Sequence, residues 1–396
     1  MASSYATVKK IDHLVGLPLC VLLSFLYGLR NLIFGRPRPP RPPRRVLLIK
    51  FFGMGSIGYS TVIARDLKRE FPEVHLTLLT FAENQSFARF LGVFDAVEGI
   101  DRNRPLSFVI QTLGTFLRHL RRPYDVVIDL EFFSKYTTIH TALTRAPQRI
   151  GFYGYGFWRR HIYTDHSFFN IAKHVRGIYG LVAKVAGAES SEEMPVSVKP
   201  TDEHLAAVDQ KLRDFGWDGK RTLVGVNVNA SDLALGRRWP VERFAELVDD
   251  LAADGCFVCL TGAPGERDFV AECFDRLQPA SQRAVVNAAG ELSLFEFIAL
   301  LCRLRLFITN DSGPMILAVL ADCPSVSLWG PGDPLMFGGA APRHTYLYSG
   351  YPCSPCMYVP MTDAGYFCNH EFPCVPTITL DQVRDEVRRR LAEADA

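Results

Sequence analysis

The sequence carries almost no net charge: 44 lysines and arginines face 42 aspartates and glutamates, which leaves +2 at pH 7. A chain this balanced lacks the basic surface of a general nucleic-acid binder, and no motif that reads RNA or DNA occurs in it. Charged residues make up 22% and hydrophobic residues 48%, so global disorder and a fibrous fold are excluded as well. The length of 396 residues instead favours two globular domains.

The ten cysteines are scattered along the chain and do not suggest a disulfide scaffold. Six lie in apolar or helical contexts typical of reduced, buried thiols: Cys20, Cys256, Cys259, Cys273, Cys302 and Cys323. The other four are Cys353, Cys356, Cys368 and Cys374. These four could hold a structural zinc ion, but the gap between the last two is wider than zinc ribbons usually show. We therefore expect reduced thiols, no metal and a cytoplasmic compartment.

A hydrophobic run lies near the N-terminus. Residues 14–29 carry no charge and the apolar character resumes after Arg30, giving about 21 residues if that arginine reaches the interface. Arginines interleaved with prolines follow at 36–45, and no small-residue cleavage site precedes them, which disfavours a signal peptide. A spanning anchor, an interfacial helix and a buried helix stay open. The first two place the arginine-rich side in the cytoplasm, and we expect membrane association.

Beyond the arginines, short β-branched runs alternate with amphipathic stretches. The runs predict parallel strands at 46–50, 74–79, 125–129, 223–228, 256–260, 306–308 and 325–328. Helical patterns lie near 57–70, 83–91 and 105–121, so the chain is a βαβ series. We expect a membrane-associated helix and linker at 1–45, a first domain at 46–195, a second at 196–378, and a C-terminal helix at 379–396 that could pack on the first domain.

A glycine-rich motif, Gly53-Met-Gly-Ser-Ile-Gly58, follows the first strand and opens a helix, as in dinucleotide-binding folds. Those folds also need a carboxylate at the end of the next strand to hold a ribose. That strand ends at Phe81 without one, and the first carboxylate is Glu83, which disfavours an NAD-dependent oxidoreductase. A tight turn that presents a helix N-terminus remains.

The stretch Thr309-Asn-Asp-Ser-Gly-Pro314 follows a strand and precedes a helix. Its backbone N–H groups and the helix dipole would suit an anion, although an ordinary capped helix uses the same residues. The neighbouring strand ends carry similar chemistry: Asn227 to Ser231 leads to Arg237 and Arg238, which could neutralise a diphosphate, and Glu266 suits ribose hydroxyls. Gly330-Pro-Gly-Asp-Pro334 follows a fourth strand, and open α/β sheets bind ligands at such ends.

The order and spacing of the segments 229–240, 261–266, 309–314 and 328–334 resemble glycosyltransferase family 9, the ADP-heptose:lipopolysaccharide heptosyltransferases. The resemblance runs from about Val46 to Val383 and implies a GT-B fold, an α/β fold of two Rossmann-like domains facing a cleft, here with an N-terminal hydrophobic helix. It further implies an inverting, metal-independent transferase without a cofactor, with the acceptor on the first domain and the donor on the second. The implied donor-binding residues are Asn229, Ser231, Arg237, Arg238, Glu266, Asn310, Asp311, Ser312 and Gly313, and the acceptor-side residues are Gly53, Gly55 and Tyr59.

The sequence departs from the family at two positions. Ser56 stands where the family usually has an aspartate that serves as catalytic base, and Ile316 stands where a histidine is common. A serine could orient an acceptor sugar but cannot deprotonate it near neutral pH. Our candidates for the base are Asp129 and Glu131, at the end of a strand in the acceptor domain. Alternatively, one caps a helix at 132–143 and the other pairs with Lys135 or Arg149.

An aromatic stretch, Gly151 to Trp158, could stack on sugars or lie at the lipid interface, or form an ordinary apolar loop. We expect a transferase that moves a sugar from a nucleotide-diphosphate donor, such as ADP-heptose, to a lipid-linked or cell-envelope saccharide such as lipopolysaccharide. It would act at the cytoplasmic face of the inner membrane. The alternative is a catalytically silent nucleotide-sugar-binding scaffold, which Ser56 and Ile316 favour.

Overall fold

The computed structural model describes residues 12–37, 39–132, 134–153, 156–191, 193–230, 235–339, 342–357, 368 and 373–393. The chain divides into two compact units, Met1–Val196 and Ser197–Ala396. Each unit is built on its own six-stranded parallel sheet. The expected α/β fold of two Rossmann-like domains is therefore confirmed.

The sheet of the first unit has the strand order β3-β2-β1-β4-β5-β6. Its strands are β1 (Arg45–Ile49), β2 (His75–Phe81), β3 (Ala96–Ile100), β4 (Val126–Asp129), β5 (Gln148–Phe152) and β6 (Asp165–Ser167). The helices of this unit are α1 (Gly16–Phe34), α2 (Met54–Glu70), α3 (Gln85–Phe90), α4 (Pro105–Arg121), α5 (Lys135–Leu143) and α6 (Val175–Val185). Ile49 pairs with Leu79 on one side and Asp129 on the other, so β1 lies between β2 and β4.

The sheet of the second unit repeats this arrangement in the order β12-β11-β10-β7-β8-β9. Its strands are β7 (Leu223–Asn227), β8 (Phe257–Thr261), β9 (Val285–Asn287), β10 (Leu306–Asn310), β11 (Ser325–Trp329) and β12 (His344–Tyr348). Its helices are α7 (Asp202–Asp214), α8 (Val241–Ala253), α9 (Arg267–Asp275), α10 (Leu294–Leu301), α11 (Gly313–Leu320), α12 (Pro334–Phe337) and α13 (Leu380–Glu393). Thr309 pairs with both Asn227 and Ser327, so β10 lies between β7 and β11.

The apolar runs become strands because parallel strands are covered on both faces and tolerate few polar side chains. Every residue of β7, β8, β10 and β11 is buried. The strands that the sequence pattern did not predict are β3, β5, β6, β9 and β12. Four of these, β3, β6, β9 and β12, are the edge strands of the two sheets, and β6 and β9 have only three residues.

The C-terminal helix α13 packs on the second unit, where Val383 and Val387 join the core that also holds Trp239 and Phe244. The Arg384 guanidinium of α13 pairs with Asp250 of α8. The sequence left open whether this helix packs on the first domain, and the structure shows its contacts with the second unit. The buried apolar side chains of α13 pack into the core of the second unit.

Helix α1 lies along the first unit. Both carboxylate oxygens of Asp12 accept from backbone N–H groups at the start of α5, at 2.9 and 3.1 Å. The Tyr27 hydroxyl donates to the Ala142 carbonyl at 2.6 Å, and the Arg149 guanidinium covers the Tyr27 ring. The helical stretch Asp12–Phe34 is long and apolar enough to cross a membrane, yet only 11% of its apolar window is buried. Only a narrow face of α1 therefore contacts the first unit, and most of the apolar surface of the helix stays exposed.

Candidate active site

Four neighbouring strands of the second sheet end in the loops that the sequence singled out. In the order β11-β10-β7-β8, the strands are parallel, so their carboxyl ends meet at one edge. The strand order reverses between β10 and β7: the chain runs from β7 to β8 and β9 on one side, and from β10 to β11 and β12 on the other. Ligands of open α/β sheets bind outside such a switch point. The structure thus brings the described residues of these four loops to one edge.

Asn310 ties the two central loops together at this switch point. Its Oδ1 accepts from the Trp239 backbone N–H at 3.0 Å. Its Nδ2 donates to the Val228 and Asn229 carbonyls at 3.1 and 3.3 Å. The side chain is fully buried, and both amide hydrogens are used. The sequence predicts Asn310 as a donor-binding residue, and in the structure its side chain is bonded to the loop after β7.

Arg237 and Asp311 lie next to each other beneath the edge. Arg237 Nη1 is 4.0 Å from Asp311 Oδ1, and both side chains are mostly buried. Burial raises the pKa of Asp311, while the nearby guanidinium of Arg237 acts to lower it. Arg237 Nε is buried and has no hydrogen-bond partner among the described residues. A Cβ at Gly332 would overlap the Asp311 carboxylate, so a larger residue there would displace that carboxylate.

The N-terminus of α11 is open in the way that an anion site requires. Ser312 occupies the N-cap position, but its side chain does not cap the helix. Its Oγ lies instead 3.3 Å from Thr309 Oγ1. A Cβ added at Gly313 would meet no atom within 4 Å, so space is free beside the first turn. Backbone N–H groups and the positive end of the helix dipole are therefore available to a phosphate.

The remaining donor candidates lie on the flanking loops. Arg238 Nε donates to the Ala230 carbonyl at 3.1 Å, and its guanidinium covers the Phe269 ring. Glu266 Oε2 accepts from the Ala263 N–H at 2.7 Å, which fixes the carboxylate at the start of α9. Asn229 is buried, and its Oδ1 accepts from the next backbone N–H. Ser231 lies outside the described residues.

The first unit has a matching bridge at its own switch point, between β1 and β4. Glu131, just after β4, accepts at one oxygen from the Lys50 ammonium at 3.1 Å and from the Phe51 and Phe52 N–H groups at 2.7 and 3.0 Å. The sequence offered Lys135 or Arg149 as the salt-bridge partner of one of the two carboxylates, Asp129 or Glu131. The structure corrects this to Lys50, because the ends of adjacent parallel strands meet. Glu131 thus anchors the loop that leads into α2.

Asp129 lies deeper than Glu131. Its Oδ2 accepts from the Tyr163 hydroxyl at 2.5 Å and its Oδ1 from the Glu131 N–H at 3.0 Å. Burial raises the pKa of Asp129, opposed by the positive charge of Arg159. Neither carboxylate caps a helix as the alternative supposed. Helix α5 begins at Lys135 and is capped by Ser134, whose Oγ accepts from a backbone N–H in the first turn.

The glycine-rich turn after β1 adopts the expected strand-to-helix geometry. Gly53 has a φ of 82°, a conformation that favours glycine. Ser56 lies in the first turn of α2, where no acidic residue occurs, and Gly55 is buried beside it. Tyr59 is only 1% exposed, and its ring packs edge-on against His174. The sequence assigned Tyr59 to the acceptor; the structure places it in the core, where burial raises its pKa.

The aromatic stretch adjoins α1. The turn Phe157–Arg159 packs against that helix, and the His161 N–H donates to Ser24 Oγ at 3.1 Å. The Arg159 guanidinium lies over the Trp158 ring and bonds the Glu131 and Phe132 carbonyls. The segment thus links α1 to the loop that follows β4.

No disulfide joins the ten cysteines, each of which is among the described residues. Cys353 is exposed and Cys374 is buried, and burial raises the pKa of Cys374. Within the described part of the chain, no three or more His, Cys, Asp or Glu side chains are grouped so as to hold a metal ion. The segments on either side of Cys368 lie outside that part.

Comparison with known proteins gives the same interpretation as the strand-end loops. The model of glycosyltransferase family 9 (heptosyltransferase) matches residues 113–365, which is more than half of the chain. The chain belongs to glycosyltransferase family 9. Lipopolysaccharide heptosyltransferase 2 of Salmonella typhimurium is 33% identical over 121 residues, 31% of this chain. That match spans 34% of the relative's own length, about a third.

Two solved structures share the fold. A family 9 glycosyltransferase from Veillonella parvula superposes with a TM-score of 0.76 at 20% identity, covering 88% of this chain and 98% of that chain. The ADP-heptose lipopolysaccharide heptosyltransferase II of Escherichia coli superposes with a TM-score of 0.70 at 18% identity, covering 89% of this chain and 100% of that chain. At these identities the likeness supports the GT-B fold, and the expectation of that fold is confirmed.

Sequence reasoning missed several residues that shape the two edges. Lys50, Trp239 and Gly332 were not singled out, although each contacts a predicted residue. Lys50 did offer a signal, since a charged residue that ends an apolar parallel strand needs a buried partner. The backbone contacts of Asn310 had no such signal, because they join segments about 70 to 80 residues apart.

Proposed function

We propose that the chain is an inverting glycosyltransferase that moves a sugar from a nucleotide-diphosphate donor of the ADP-heptose type to a lipid-linked or cell-envelope saccharide such as lipopolysaccharide. One observation carries this proposal. The open N-terminus of α11, Asp311 and the buried Arg237 lie together at the switch point of the second sheet. The names of the relatives, which act on lipopolysaccharide or use ADP-heptose, support the substrate classes.

In this proposal the diphosphate binds the first turn of α11. The N–H groups near Gly313 and the helix dipole neutralise part of its charge, and Arg237 supplies a full positive charge. The unpartnered Nε of Arg237 is a buried donor that a phosphate oxygen would satisfy. Glu266, held at the start of α9, has an oxygen available for ribose hydroxyls. Ser231, Arg238 and Ser312 complete the proposed donor set.

Transfer also requires a base for the acceptor hydroxyl. Ser56 cannot supply it, so the proposal assigns this task to the pair of Asp129 and Glu131, with Ser56 and the glycines of the same turn orienting the acceptor. Glu131 is adjacent to the turn through its bonds to Phe51 and Phe52. Asp129, whose pKa is raised by burial, supports Glu131 through that residue's N–H. A raised pKa favours proton uptake during the reaction.

A silent nucleotide-sugar-binding scaffold is the second candidate. It is favoured by the absence of an acidic residue from the first turn of α2, where the family carries its usual base. The scaffold would bind the donor through the second unit and leave it intact. Substrate turnover therefore separates the two proposals.

We further propose that the protein acts at the cytoplasmic face of the inner membrane, with α1 lying in the interface. The contacts of the helical stretch Asp12–Phe34, which contains α1, run from Asp12 to Tyr27 along the first unit, a length of about 23 Å at 1.5 Å per residue. A helix docked over four turns on a folded, polar domain cannot also be surrounded by lipid hydrocarbon. Its exposed apolar side can enter the headgroup region, where the arginines after α1 meet anionic lipids.

The test is transfer of a labelled sugar from ADP-heptose to lipopolysaccharide that lacks core heptose, with the full chain in vesicles. Sugar on the acceptor together with free ADP supports the transferase, and the anomeric configuration of the product tests inversion. Bound donor without transfer or hydrolysis supports the scaffold. Transfer from another nucleotide sugar under the same conditions would correct the donor while keeping the reaction.

A further inference from the structure

Helix α4 carries a continuous apolar stripe that no described part of the protein covers. The helix is 17 residues long, and six large apolar side chains on it are 37 to 72% exposed: Leu106, Val109, Ile110, Leu113, Leu117 and Leu120. Their spacing of three or four residues puts them on one face. Soluble proteins rarely expose so many apolar side chains in one patch without a partner for it.

The opposite face of α4 fixes the direction of the stripe. Thr112 Oγ1 is 3.0 Å from the Tyr136 hydroxyl, and the Phe108 ring packs on the Tyr136 ring at 5.2 Å between centroids. Near the other end, His119 Nδ1 is 3.0 Å from His140 Nε2. These contacts join both ends of α4 to α5. Rotation of α4 to bury its stripe would break them.

Every charged residue between positions 102 and 124 is an arginine. No aspartate or glutamate occurs between residues 102 and 124, whereas arginines lie before and after the helix. Arg102 and Arg118 pair with glutamates of the first unit. Within the described residues no acidic side chain pairs with Arg104, Arg121 or Arg122. An apolar face bordered by arginines is typical of a helix that lies on an anionic bilayer.

The position of α4 beside α1 also favours a bilayer as the partner of the stripe. Helix α1 also exposes an apolar surface, and it docks on α5 through Asp12 and Tyr27. The two helices with exposed apolar faces therefore flank one buried helix of the first unit. A soluble protein partner would explain the stripe of α4 but not its proximity to a helix with the composition of a membrane segment.

We propose that α4 is a second membrane-binding element, whose stripe enters the boundary between headgroups and acyl chains of an anionic bilayer. The arginines at its ends contact lipid phosphates. Two attached helices would fix the orientation of the first unit on the bilayer, which one helix cannot do. The inference rests on the interfacial position of α1 proposed above and is independent of the sugar-transfer reaction.

The test compares full-chain variants in flotation with vesicles of phosphatidylethanolamine and phosphatidylglycerol. Ile110→Glu with Leu113→Glu should lower the vesicle partition coefficient at least about tenfold, because two inserted side chains become charged. The matched control is Leu181→Glu with Tyr346→Glu, which also introduces two glutamates, at exposed apolar positions that are not part of α4. Arg121→Gln with Arg122→Gln should weaken binding about fivefold per arginine on anionic vesicles and little on neutral ones.

Hydrogen exchange resolved by peptide is the second measurement. Exchange over residues 105–121 should slow when vesicles are added to the wild-type chain, as should exchange over 12–34. Protection of 12–34 without protection of 105–121 overturns the role of α4 and leaves α1 in the interface. Protection of neither overturns both. Equal partition of the α4 variant and its control also overturns the proposal, as does a lipid-free dimer that the α4 variant abolishes.

Discussion

Replacing Asn310 with alanine should destabilise the second unit more than replacing the neighbouring buried Asn227. The buried side chain makes three hydrogen bonds to backbone groups of the loop after β7, and alanine leaves the Trp239 N–H and two carbonyls without a partner. A buried polar group without a partner costs about 1–3 kcal/mol, and carbonyls lie at the low end. The expected loss is about 3–5 kcal/mol in the free energy of unfolding.

Asn227→Ala is the matched control. It removes the same amide from a buried position at the end of a neighbouring strand, but that amide makes one bond, to the Thr261 carbonyl at 3.0 Å. Its expected cost is about 1–2 kcal/mol. The difference between the variants therefore measures the bridge rather than the loss of a buried asparagine.

Urea unfolding followed by tryptophan fluorescence is the assay. Three of the four tryptophans, Trp217, Trp239 and Trp329, belong to the second unit, so the signal reports mainly on that unit. This matters because the two units need not unfold together. If Asn310→Ala and Asn227→Ala lower stability equally, within about 0.5 kcal/mol, Asn310 does not bridge the two loops and our account of this edge fails.

Three further predictions concern the site and pH. Arg237→Gln should weaken nucleotide-sugar binding about 10- to 100-fold by calorimetry, since a charge-assisted phosphate contact is lost; unchanged affinity would remove Arg237 from the site. The double variant Asp129→Asn with Glu131→Gln should lower the rate of sugar transfer at least about 100-fold and leave donor affinity unchanged. Ser56→Ala should lower the rate of transfer only a few-fold. Undiminished turnover in the double variant would show that neither carboxylate is the base. Burial lowers the pKa of His140 from 6.5 to about 3. As the pH falls, the unfolded chain therefore binds the proton before the folded chain does. The contribution of His140 to the free energy of unfolding is full above about pH 6.5 and is lost towards pH 3. In urea titrations, His140→Gln should make the free energy of unfolding less dependent on pH over this range. An equally steep decline in that variant would assign the effect to other groups.

Sequence patterns were sufficient for the framework of each unit because buried parallel strands need continuous β-branched runs. The four loops of the donor edge were predictable for a related reason: in a parallel sheet, the ends of strands such as β7 and β10 must meet. Edge strands such as β3 and β12 were not predicted, since partial exposure lets polar residues interrupt the apolar pattern.

Side-chain partners were the least predictable part of the site. A carboxylate after β4 could cap a helix, bind a cation or act as a base, and only the strand order pairs Glu131 with Lys50. Asn310 has the chemistry of a donor ligand, but its atoms are already bonded to the backbone. Tyr59 follows a glycine-rich turn, but the helix rotates it into the core. These outcomes depend on tertiary contacts that local patterns do not encode.

We propose that the edge formed by β11, β10, β7 and β8 binds a nucleotide-diphosphate sugar. The most direct measurement is the unfolding midpoint of the full chain, read by tryptophan fluorescence, with ADP-, UDP-, GDP- and dTDP-sugars in turn. A donor at 100 times its dissociation constant should stabilise the second unit by about 2.7 kcal/mol, and Arg237→Gln should reduce that gain at the same concentration. Failure of every nucleotide sugar to stabilise the wild-type chain would contradict the claim.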